Sequence, residues 1–133
     1  MNVLIKSGLI FAVCASRAAF AHHYFAPEYE RETMVTIEAV VKGVYFRNPH
    51  VRLEVEVTTE DGGKEIWAAN SVSPNSVSAR GWQAETIAIG DSIRLYGNLG
   101  SNESKRLWIQ TITLADGTEI YPVGRLPDVG DDR

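Results

Sequence analysis

The run MVTIEAVVKGVYF, residues 34–46, decides the fold. Val35, Ile37, Ala39 and Val41 recur at every second position, the period of a strand with one buried face. Beyond Gly43 the apolar residues continue at Val44 and Phe46, on even numbers. A period-2 pattern that slips by one residue at a glycine predicts a β-bulge and a sharp bend inside one long strand. A bent strand can pair on both of its edges, which is what a small sheet needs to close on itself.

Working outward, Asn48-Pro49 marks a turn. Val51, Leu53, Val55 and Val57 then alternate with Arg52, Glu54, Glu56 and Thr58, a half-buried strand. Glu60-Asp61-Gly62-Gly63 turns the chain into a return strand over residues 64–70. Ile66 and Ala68 are expected on its inner face and Trp67 on the opposite one. Ser73 is a good N-cap, Pro74 suits the first helical position and Gly81 is placed to stop a helix, which predicts a helix over 74–80. A strand over 92–97, a polar loop over 98–104 and a strand over 105–114 follow. Asp116-Gly117 then folds back into a short strand over 118–121. Three strands, a short helix and two or three more strands give an all-β chain with one short helix. The expected architecture is an OB-fold-like barrel of five main strands, with the helix plugging one end; an open sandwich or meander is the rival.

The start of the chain reads differently. Lys6 is followed by nine mostly apolar residues, SGLIFAVCA, far short of the roughly 20 needed to span a bilayer. With Ala19 and Ala21 as the small residues at its end, this is the pattern of a secretory signal peptide cut after Ala21; a cut after Ala18 is the second choice. The expected organisation is signal peptide 1–21, extended arm 22–33, barrel domain 34–121 and flexible tail 122–133, with no membrane span after cleavage. The single cysteine, Cys14, falls inside the leader. Val13 before it is branched where a lipoprotein site wants a small residue, so the mature chain is expected to carry no disulfide, thiolate metal site or cysteine nucleophile. Export places the protein in the periplasm or outside the cell.

The 133 residues less 21 leave 112, enough for one core. The 13 basic residues less Lys6 and Arg17 stand against 17 acidic ones, a balance of −6. A chain so acidic lacks the basic footprint of a phosphate-tracking protein, which argues against nucleic acid as a partner.

Ala21-His22-His23-x-Phe25, Val35-Thr36-Ile37, Asn48-Pro49-His50, Trp67, Ser73-Pro74-Asn75, Arg80-Gly81-Trp82 and Gly90-Asp91 occur here in a fixed order. In this the chain resembles a family of small exported bacterial proteins of unknown function. Tyr24 and Ala39 depart from that pattern, where serine and glycine are expected. The resemblance implies export and the fold; it implies no activity.

Residues suited to chemistry are few. There is no Gly-x-Ser-x-Gly and no phosphate-cradling glycine loop, and the acidic residues are scattered, so the sequence points away from covalent catalysis. Two binding chemistries remain. Cleavage after Ala21 would give His22 a free amine beside its own imidazole, and with His50 and His23 this is a nitrogen set suited to a transition-metal ion, copper first. An oxidative copper enzyme is a lesser variant of the same reading. Alternatively, Trp67, Asn75, Arg80 and Trp82 form a tryptophan-bearing face that docks an envelope protein or an extended polymer. The sequence leaves the oligomeric state open.

Overall fold

The computed structural model of the chain describes residues 28–125. Its strands are β1 (Tyr29–Tyr45), β2 (Arg52–Thr58), β3 (Lys64–Asn70), β4 (Ser92–Gly100), β5 (Arg106–Thr113) and β6 (Glu119–Ile120). One helix, α1 (Pro74–Ser78), lies between β3 and β4. Hydrogen bonding follows β3-β2-β1-β4-β5-β6, and β3 also pairs with β5. The ring β1-β2-β3-β5-β4 therefore closes on β1, with β3–β5 its one parallel seam and the other pairs antiparallel. This is the expected five-stranded, OB-like barrel, and β6 is a short flap on β5.

The first strand does what its phase slip predicts. Val40 pairs with Ser92 of β4 on one edge and with Glu56 of β2 on the other. The register to β2 shifts between Val41, opposite Val55, and Gly43, opposite Glu54, which places the bulge at Lys42. A Cβ on Gly43 would lie 3.0 Å from the Tyr45 ring and 3.3 Å from a Glu54 carboxylate oxygen, so a larger residue at the bend would have to push both side chains back by a few tenths of an ångström. Inside the ring, Val41, Leu53, Val55, Leu95, Ile109 and Ile112 are fully buried. Burying each such side chain contributes about 1.5–3 kcal/mol.

The helix is shorter than the spacing predicts. Ser73 caps it, its hydroxyl accepting from the Ser76 N–H at 3.3 Å, and Pro74 opens it. It ends at Ser78, and the chain turns through Gly81 at φ +90°. Val77 carries its only buried side chain and plugs the ring.

Two boundaries differ from the sequence reading. β1 starts at Tyr29 rather than in the mid-thirties, with an irregular register between Tyr29, opposite Gly100, and Met34, opposite Asn98. β4 runs to Gly100, so residues 98–100 are strand rather than loop. One side chain explains both. Asn98 is buried because its amide nitrogen donates to the carbonyls of Glu30 and Arg31 at 3.2 and 3.0 Å. Its oxygen accepts from Gln110 Nε2 at 2.9 Å. A polar residue can sit inside a sheet when its bonds are made there. At the other end, Pro122 is fully buried, so the chain stays packed on the barrel just past β6.

Candidate functional site

The register of the barrel sets a row of side chains across its outer surface. Tyr45 of β1 lies opposite Arg52 of β2, Arg52 opposite Asn70 of β3, and Asn70 beside Trp108 of β5. Residues paired in this way share one face of a sheet. Neighbouring strands are about 4.8 Å apart, so the row spans roughly 14 Å across the strands.

Three further pieces fold over this row and make a pocket of about 300 Å³, lined by Glu28, Tyr29, His50, Arg52, Ala68, Asn70, Arg106 and Trp108. Tyr29 comes from the irregular start of β1, which Asn98 holds down. Its ring meets that of Trp108 at 5.7 Å, tilted by 59°. Asn70 Nδ2 donates to its hydroxyl at 2.6 Å. Burial raises the Tyr29 pKa above the ordinary 10.0, against the opposing pull of the Asn70 bond, so the phenol is neutral in the physiological range. His50, on the exposed β1–β2 turn after the cis Asn48–Pro49 bond, stands edge-on to Trp108 at 6.2 Å and 83°. On the rim, Arg106 Nη1 meets Glu28 Oε2 at 3.1 Å.

Arg52 is the second cation of the pocket. Its guanidinium carbon lies 4.3 Å from the centre of the Tyr45 ring, within cation–π range. One Nη reaches Glu54 only at 3.5 Å, and the buried Nε has no hydrogen-bond partner among the described residues. A guanidinium offers five N–H donors, so most of its capacity is unspent. The lining holds two guanidiniums against one carboxylate, in a chain whose formal charge is −4.

The residues expected to bind a ligand are dispersed. His50 lines the pocket; His22 and His23 lie outside the described residues. Among the described residues no group of three His, Cys, Asp or Glu side chains could hold a metal ion. Trp67 is half-buried, but its face is the reverse of the expected one. Trp67 and Ala69 lie opposite Val55 and Leu53, both fully buried, so they point to the core, while Ile66 is 53% exposed. Trp67 Nε1 donates to Glu65 at 3.2 Å. Lys105 foremost, and then this indole, hold the Glu65 carboxyl below its ordinary range. Trp82, just past the Gly81 turn, is fully buried in the core rather than on a face, edge-on to Phe46 at 6.3 Å. Asn75 and Arg80 are exposed on and just after the helix, outside the pocket lining.

Sequence reasoning did not select Tyr29, Arg52, Asn70, Arg106 or Trp108 as site residues. The β2–β3 register is centred on Asp61, one half-step from the middle of the Glu60–Gly63 turn, and it is this register that places Arg52 opposite Asn70. Nothing local places Trp108 next to Asn70, since a parallel seam between distant strands has no turn to set its register.

A family model described as "Family of unknown function (DUF6152)" matches residues 11–106. The chain belongs to that family. The match takes in every pocket residue except Trp108, which lies two positions beyond it. No curated protein matches the chain.

Proposed function

We propose that this member of the family is a non-catalytic binding module of the cell envelope, and that it takes one unit of an extended polymer into the Trp108 pocket. The observation that carries this reading is the pocket itself. Three rings, Tyr29, His50 and Trp108, share one recess with hydrogen-bonding side chains on its rim. Its volume of about 300 Å³ matches the lower end of the range for small-molecule sites. OB-like barrels bind extended ligands across the same strands and turns, though that is an analogy of fold. The leader residues support the envelope as the place of action. Affinity electrophoresis through gels containing neutral or acidic polysaccharide tests the reading. Retardation of the native protein that Trp108→Ala abolishes and Trp67→Ala preserves is the expected result; equal mobility in every gel refutes it.

A second reading, Cu(II) binding by the processed terminus, is favoured by one observation. Glu28 and His50 line the same pocket, and Glu28 is six residues from His22. Six residues reach up to about 20 Å, enough for a His22 amine and imidazole to meet His50. Such a nitrogen set suits Cu(II) in a square arrangement. Titration of the processed protein with Cu(II) tests it: an extra residue before His22, or His50→Ala, must weaken binding strongly.

A further inference from the structure

We propose that the polymer unit taken by the pocket carries a carboxylate, and that Arg52 is the residue that receives it; the ligand class is an acidic sugar chain of the uronate type. The inference rests on the binding-module reading above and adds the chemistry of the ligand.

Four observations lead there. The first is charge: a chain of net −4 concentrates two guanidiniums against one carboxylate in its pocket. The second is how differently those guanidiniums are engaged. Arg106 is committed to Glu28 at 3.1 Å, whereas Arg52 has one contact at the 3.5 Å limit and a buried, unpartnered Nε. The Arg52 side chain is 40% exposed, so N–H donors beyond that single contact remain for an incoming acceptor. The third is restraint. The guanidinium carbon sits 4.3 Å from the centre of the Tyr45 ring, a contact that limits where the side chain can go, and a planar fork restrained in advance favours a bidentate carboxylate contact. Arg47 lies over the same ring at 5.4 Å and extends positive charge along the row.

The fourth is the rest of the lining. Ala68 is its only aliphatic residue, and the others are aromatic, amide or charged. A peptide added as a strand would call for a free sheet edge, and β3 and β5 are paired with each other at the pocket. A sugar ring instead offers C–H faces for Trp108 and Tyr29, and hydroxyl edges for Asn70, His50 and Glu28. The row from Tyr45 to Trp108 runs across the strands, so successive rings of a chain can follow it beyond the pocket.

Trigalacturonate and its methyl ester have the same rings and differ in the carboxylate charge, which makes them the probes. Calorimetric titration of the native protein is expected to show the acid binding at least tenfold more tightly than the ester. Arg52→Gln should erase that difference by bringing the acid down to the affinity of the ester, Arg52→Lys should restore part of it, and Trp108→Ala should weaken both ligands. A thermal melt of each variant confirms that it is folded. Equal affinity for acid and ester, with both lost in Trp108→Ala, overturns the carboxylate assignment and leaves the pocket standing. Acid binding that Trp108→Ala does not alter overturns the pocket reading. Absence of binding by either probe, or tighter binding of a tripeptide with a free C-terminal carboxylate, overturns the sugar class.

Discussion

Gly97 is where the barrel and the pocket share a weak point. A Cβ built on it would lie 2.0 Å from the carbonyl oxygen of Trp108, 2.9 Å from that carbonyl carbon and 3.2 Å from Leu107 Cγ. The register of β4 against β5 shifts at this position, between Tyr96 and Gly97. A carbon approaches a carbonyl oxygen to about 3.3 Å, so Gly97→Ala must separate the two backbones by about 1 Å. Backbone cannot rotate away as a side-chain tip can. Overpacking of this kind costs about 1–3 kcal/mol. Stretching one or two ladder hydrogen bonds adds about 1 kcal/mol each. The expected loss is about 3–4 kcal/mol, a large share of the roughly 5–15 kcal/mol of a typical domain. With a urea slope of about 2 kcal/mol/M, the midpoint should fall by about 1.5–2 M at unchanged slope. Gly117→Ala is the control: nothing lies within 4 Å of its added Cβ, and only its φ of +88° is strained, at about 1–2 kcal/mol. A Gly97→Ala protein that unfolds within about 0.3 M of the native one would refute the close contact and the placement of Trp108 that depends on it.

Asn98→Ala should cost about 1–3 kcal/mol, because the Glu30 and Arg31 carbonyls and Gln110 lose their partner; hydrogen exchange should rise at residues 29–33 before it rises in β2. Tyr29 has a folded pKa above its ordinary 10.0, so the folded protein keeps a proton that the unfolded chain releases. Stability should therefore decline as pH rises above about 10, and Tyr29→Phe should flatten that part of the curve in urea titrations. Glu56 is held below its ordinary 4.5, foremost by its hydrogen bond from Lys64, and Glu65 likewise by Lys105. Their stabilisation is present above about pH 4.5 and is lost as pH falls through the lowered values, so Glu56→Gln should shift the acid midpoint slightly upward in low salt and not at all in high salt.

What could be read without a structure followed from local chemistry. The bend in β1 was legible because Gly43 breaks a period-2 pattern, and bulges leave that mark. The helix start was legible because Ser73 and Pro74 act within one turn of where they stand. The face of Trp67 was not. Residues 64–70 alternate two weakly apolar sets, Ile66 with Ala68 and Trp67 with Ala69, and only pairing with Leu53 and Val55 decides which set goes inside. Asn98 reads as a loop residue because its three partners come from residues 30, 31 and 110. The pocket was hidden for the same reason: its floor is made by the parallel seam of β3 and β5, and its cover by a Tyr29 that the sequence reading places in an arm.

The claim that the barrel presents one ligand site, on the row that ends at Trp108, is tested most directly by amide NMR spectra of the isotope-labelled protein during titration with trigalacturonate. The account predicts shifts confined to residues 28–29, 45–52, 68–70 and 106–108, saturating together with a single affinity. Shifts centred on the helix and on Asn75 and Arg80, or no shifts at saturating probe, would contradict it.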